Sequence, residues 1–97
     1  ENSDTVRQRV IQAYERQMQR QGMLNMNLSP KQLEQFAALA TPAQNMMDLA
    51  QQRLNLSARA YHRVLRVARS IADLAESSEI QTAHLSEALS YRAQSSP

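Results

Sequence analysis

Punctuation is nearly absent from this chain. One glycine, Gly22, and three prolines, Pro30, Pro42 and Pro97, are spread over 97 residues. β-rich folds need frequent turns, and turns draw on Gly and Pro, so a strand-based fold is disfavoured. Between the breaks Gln, Ala, Leu, Arg, Met and Glu dominate, residues that lose little rotamer freedom in a helix. The expectation is an all-α fold, a small bundle of about five helices around one core, which a chain of this length can bury. Aromatic residues are limited to Tyr14, Phe36, Tyr61 and Tyr91, so that core must be aliphatic and Met-containing.

The breaks and caps place the helices. The first is expected over residues 5–21, with Ser3 or Asp4 as N-cap and Gly22 as terminator. Val6, Val10, Ala13, Tyr14 and Met18 form its apolar face. Ser29-Pro30-Lys31-Gln32 reads as a capping box with Pro at the first helical position, and Leu33, Phe36, Ala37 and Ala40 follow as a buried stripe. Thr41-Pro42-Ala43-Gln44 repeats the device before Met46, Met47, Ala50 and Leu54. Asn55 suits a left-handed stop. Ser57 caps a fourth helix over residues 58–76. After the Ser77-Ser78 break, Thr82 is expected to cap a last helix over 83–93 with Leu85, Ala88, Leu89 and Arg92 on one side, and 94–97 should fray.

The fourth helix separates its residues most sharply. At about 100° per residue, Val64, Val67, Ala68, Ile71, Leu74 and Ala75 share one face. Arg59, Arg63, Arg66 and Arg69 fall on the other, beside His62, and Asp73 can pair with Arg69. Such a stripe is most often a solvated surface, but two features point to an anionic partner. Ten of the chain's eleven cations are Arg, whose fixed fork matches phosphate and carboxylate. Arg59 also sits in the first turn, where a cation opposes the helix dipole and where phosphates bind.

Other groups carry less chemistry. His62 and His84 lack metal-ligand spacing, and His84 reads as a surface or capping residue. Glu76 and Glu79 flank a loop and read as solvated. The Met residues read as core filler or as part of a docking surface. With no Cys there is neither a disulfide framework nor a Cys-based zinc site, which suits a reducing, cytoplasmic setting. No apolar run approaches the ~20 residues that span a bilayer, so no membrane partner is expected. One Gly and one Lys exclude a G-x-x-x-x-G-K-[ST] phosphate loop, so no catalytic residue and no metal site is assigned here, and any nucleotide chemistry must be shared with another domain. The chain opens on Glu1 rather than Met and is read as one domain, 1–97, of a longer protein.

The run from Leu54 to Leu74, LNLSARAYHRVLRVARSIADL, closely resembles the lid signature of magnesium-chelatase-like AAA+ ATPases of the ComM type. Ile80, His84-Leu85, Glu87-Ala88 and Tyr91-Arg92 resemble that family's closing helix, and Val6-Arg7-Gln8-Arg9-Val10, Gln17 and Arg20 its first. Departures occur at Tyr14, where the family commonly has Arg, and at Asn55, where it has Gly. The resemblance implies a ring-forming, hexameric motor whose P-loop, Walker B acid and arginine finger lie in an AAA+ core domain of the same chain. This domain would be its C-terminal lid, meeting that core and neighbouring subunits. Arg59 matches the sensor-2 arginine that reaches the γ-phosphate, with support from Ser57, Arg63 and Arg66. ATP and Mg²⁺ would bind the intact parent and not stably this domain alone. The ComM branch is associated with DNA branch migration in recombination, so DNA is a partner implied for the whole motor. The alternative is a free-standing DNA-binding helical module with the arginine stripe on phosphates. A histone-like variant is suggested by Ile80, Thr82, His84 and Leu85, but residues 58–76 are too short for that fold's central helix.

Overall fold

A computed structural model describes the fold from Asn2 to Ser95, with side chains described through Tyr91. Among the described residues, five α-helices and one 3-10 turn account for the regular structure: α1 (Ser3–Gln21), the turn (Asn25–Asn27), α2 (Pro30–Phe36), α3 (Thr41–Leu54), α4 (Ala58–Leu74) and α5 (Thr82–Ser95). α4 runs through the centre, packed against α5, α1, the turn and α2, while α3 packs on α5. Leu28, Leu33, Met47, Val64, Ala68 and Leu85 are among the buried core residues. The core is aliphatic with one fully buried Met, as the scarcity of aromatic residues requires.

Several caps form as the residues dictate. Ser29 and Gln32 make the reciprocal capping box, with Gln32 N donating to Ser29 Oγ and Ser29 N donating to Gln32 Oε1. Ser57 Oγ accepts from Ala60 N at 3.1 Å and opens α4. Gly22 (φ 74°) and Asn55 (φ 52°) end α1 and α3 in the left-handed region, where Gly and Asn are best tolerated.

Other caps differ from expectation. Asn2, not Ser3 or Asp4, caps α1 by accepting from Thr5 N. α3 begins one residue early on Ala40, with no side-chain cap. Pro42 therefore occupies the second helical position and Gln44 the fourth, too far along to close a box. Gln44 donates instead to Asp48 and Tyr61. α4 stops at Leu74 because Glu76 turns left-handed (φ 59°) and the Glu76 and Ser77 N–H groups bond back to Asp73 and Ala72, a Schellman closure. Thr82 is the first residue of α5 rather than its cap. His84 Nδ1 accepts from Gln81 N at 2.9 Å, half of a capping box, so His84 has the capping role read for it. α5 continues through Ser95, past Ala93; the fraying expected at Ser96 and Pro97, and the side chain of Arg92, lie outside the described residues.

Two faces are corrected by the packing. Of the apolar face read for α1, only Ala13 is buried, and Val6, Val10, Tyr14 and Met18 are exposed. In α4 the buried residues are Val64, Leu65, Ala68, Arg69, Ala72 and Asp73. That set is rotated by roughly one residue, about 100°, from the apolar face read from the sequence. The central position of α4 explains the shift: α1 and the 3-10 turn cover part of its polar side, while Leu74 at the other edge stays exposed.

Candidate nucleotide-sensing site

The four arginines of α4 do not form one surface. Arg59 and Arg63, one turn apart, are exposed, and neither has a hydrogen bond or ion pair among the described residues. Arg66 is half-buried and its Nε donates to Leu28 O at 2.9 Å, tying the segment before α2 to α4. Arg69 is 3% exposed. Its Nη1 donates to Ser78 O and its Nη2 to Ser77 O and Asp73 Oδ1. Arg69 is thus a structural clamp on the α4–α5 connection, and the stripe of four read from the sequence reduces to a free pair, Arg59 and Arg63, with Arg66 beside them.

Arg59 sits in the first turn of α4, where a cation is disfavoured. Ser57 Oγ satisfies the Ala60 N–H, which leaves the N–H groups of the first two helical residues, Ala58 and Arg59, pointing along the start of α4. The positive end of the dipole repels Arg59 by roughly 0.3–1 kcal/mol. Like charges four residues apart on a helix add a further few tenths of a kcal/mol. An anion at this end would relieve both terms while accepting from backbone N–H groups and two guanidinium forks. An open cleft of about 640 Å³, lined by Lys31, Leu33, Leu39, Gln44, Tyr61 and His62, lies on another face of α4 and includes neither Arg59 nor Arg63. Among the described residues no group of three or more His, Asp or Glu could hold a metal ion.

A second polar centre lies at the opposite end of α4. Asp73 is fully buried. Its carboxylate accepts from Arg20 Nη1 (2.9 Å) and Nη2 (3.0 Å), Arg69 Nη2 (3.0 Å) and Asn25 Nδ2 (2.9 Å). Burial pushes the Asp73 carboxyl up, but hydrogen bonds from Arg20 and Asn25 and the charges of Arg69 and Arg20 outweigh it and hold the group below its ordinary range. Burial pulls the Arg69 guanidinium below its ordinary value; Asp73 opposes that pull and the like charge of Arg20 adds to it. Arg69 Nε is buried without a partner. The i, i+4 spacing of Arg69 and Asp73 was readable in the sequence. The parts played by Arg20 and Asn25 were not, because they depend on contacts across 45 residues and more.

The family model described as the C-terminal domain of the magnesium chelatase ChlI subunit matches residues 1–92. This chain belongs to that family. It is 43% identical over 93 residues to the competence protein ComM of Haemophilus influenzae, and 45% and 42% identical over 93 residues to the YifB proteins of Escherichia coli and Salmonella typhimurium. Each match covers 96% of this chain but 18% of the relative, so this chain spans less than a fifth of the length of the proteins it resembles. The resemblance to ComM-type proteins, read from the sequence over nearly the whole chain and most specific from Leu56 to Leu74, is borne out over 93 residues. Among the described residues no helix is long and apolar enough to cross a membrane.

Proposed function

We propose that this chain is the lid of a cytoplasmic AAA+ ATPase and that Arg59 reports the γ-phosphate of ATP. The observation that carries the reading is an exposed, unpartnered arginine at the dipole-disfavoured start of α4, inside the stretch that most resembles the family's lid signature. Arg63 stands one turn behind it and adds positive potential. Ser57 fixes where the helix begins and hence where Arg59 projects. Arg66 contributes mainly by holding the segment before α2 in place, since its Nε is committed to Leu28 O.

In this reading ATP and Mg²⁺ are bound chiefly by an AAA+ core domain elsewhere in a family-length polypeptide. That core supplies the phosphate loop this chain lacks, and neighbouring subunits of a hexameric ring complete the site. The exposed guanidinium of Arg59 fits such a nucleotide: it adds a fork of donors to the transferring phosphoryl group and stabilises charge there in the transition state. The resemblance to ComM-type proteins implies DNA as the substrate of the whole motor, with branch migration as its activity. The alternative, in which this domain binds DNA by itself through four equivalent arginines, is weakened by the burial of Arg69 and the engagement of Arg66.

ATP turnover by a family-length protein carrying this domain tests the assignment. Arg59→Ala should lower kcat roughly 10²-fold, the usual effect of removing one preorganised charge-stabilising donor, with assembly intact. Arg59→Lys should recover only part of the loss, because an ammonium cannot reproduce the guanidinium fork. Unaltered turnover in Arg59→Ala would remove Arg59 from the site.

A further inference from the structure

α1 is amphipathic in the inverse sense. The side it turns toward α4 and the 3-10 turn is polar. Gln17 is buried there and accepts from Asn25 N through Oε1, and Arg20 chelates Asp73. Arg16 donates to Asp73 O and to Glu76, and Ala13 is the only buried apolar residue described on the helix. The outer side carries Val10, Ile11, Tyr14 and Met18, which are between 37% and 53% exposed, whereas Val6 shares the face of Ala13 and Gln17 and is exposed because the first turns of α1 are unpacked. At 100° per residue Val10, Tyr14, Met18 and Ile11 fall within an arc of about 100°, with Arg7 inside it. A helix docked by hydrophobic burial would turn this strip inward. Here the Asp73 centre fixes the helix by hydrogen bonds and ion pairs and leaves the strip facing out.

We propose that this strip is the surface by which the domain docks onto a second domain of a family-length polypeptide, through an apolar patch with a carboxylate opposite Arg7. The proposal rests on the lid reading above and deepens it by naming the contact face. Three observations select the occupant. Four side chains, between 37% and 53% exposed, offer roughly 300 Å² of apolar surface, at the lower end of the largest and often functional patches of a monomer and less than half the ~800 Å² per partner that a free-standing interface requires. So small a contact suits a tethered partner, whose effective concentration is high, better than a second copy meeting by diffusion. The relatives are more than five times the length of the matched segment, which leaves room for that partner in the same polypeptide. Arg7 has no partner among the described residues, so the strip presents an unneutralised cation within an apolar surround, and a carboxylate complements it.

The test grafts this chain into the Haemophilus influenzae relative in place of the 93 residues they share. Peroxide oxidation of Met18 is then compared with that in the isolated 97-residue chain, with buried Met47 as internal reference. The proposal expects Met18 to oxidise about fivefold or more slowly in the graft, because docking removes the thioether from solvent. Tyr14→Glu and Ile11→Glu, both at exposed positions, should restore the isolated rate with helicity unchanged, whereas Arg59→Ala should not. Equal Met18 oxidation in the graft and the isolated chain would overturn the proposal, even where Arg59→Ala slows ATP turnover and the lid reading survives. Concentration-dependent dimerisation of the isolated chain, abolished by Tyr14→Glu, would assign the strip to a second copy and overturn it equally.

Discussion

Replacing Asp73 by Asn should loosen α1 from the rest of the domain at a cost of about 3 kcal/mol, within the usual range for breaking a buried ion pair. Asp73 accepts four hydrogen bonds, two on each oxygen: Oδ1 from Arg20 and Arg69, Oδ2 from Arg20 and Asn25. An amide presents one oxygen and one donor, so whichever way it turns, two donors face its NH₂ group. Bonds to charged groups contribute about 1.5–3 kcal/mol each. Arg20, partly exposed, regains some of its loss from water. Arg69, 4% exposed at its side chain, does not. A loss of about 3 kcal/mol is a large part of the 5–15 kcal/mol that holds a small domain folded. Urea unfolding followed by circular dichroism measures the total, and amide exchange locates it: the C-terminal half of α1 and the 3-10 turn should exchange faster than α5. A change below about 1 kcal/mol, or uniform acceleration across all helices, would refute the claim that this centre fastens α1.

Acid should act through the same residue. Because the Asp73 carboxyl titrates below its ordinary range, its contribution is fully present above the unfolded value of about 3.9 and is lost as pH falls through the lower folded value. Stability measured from pH 7 downward should therefore fall below about pH 4, and that part of the acid loss should be missing in Asp73→Asn. Reversing the first-turn charge should have the opposite effect on folding. Arg59→Glu is expected to stabilise the isolated chain by about 0.5–1 kcal/mol, by favouring the dipole and replacing repulsion of Arg63 with attraction. Thermal unfolding checks this, and a destabilised variant would mean that Arg59 has an intramolecular partner.

Local chemistry was legible in the sequence where short-range rules decide the outcome. Ser29, Ser57, Gly22 and Asn55 sit where capping and left-handed backbone place them, because each acts on neighbours within a few residues. Thr41 misled because a one-residue shift of the helix start moves Gln44 out of reach, and Tyr61 of α4 offered Gln44 another partner. The outer faces of α1 and α4 were misread for a related reason. Periodicity shows that a helix has an apolar side, but which side is buried depends on what packs there. In α1 a hydrogen-bonded centre built from Gln17, Arg20, Asn25 and Asp73 outweighs hydrophobic orientation. In α4 the same centre draws Arg69 and Asp73 inside. The position of Arg59 was readable, since the Ser57 cap fixes it in the first turn. Its difference from Arg69 was not, because only the fold separates an exposed arginine from a buried one.

Discrimination between nucleotides tests the central proposal most directly. In a family-length protein carrying this domain, the affinities for ADP and for a non-hydrolysable ATP analogue should be measured with Arg59 intact and as Arg59→Ala. A guanidinium that meets the γ-phosphate adds a charged hydrogen bond worth about 1.5–3 kcal/mol, so its removal should lower the preference for the ATP analogue by roughly 10- to 150-fold. ADP affinity should change little. An unchanged ratio of the two affinities in Arg59→Ala would contradict the assignment of Arg59 as the γ-phosphate sensor.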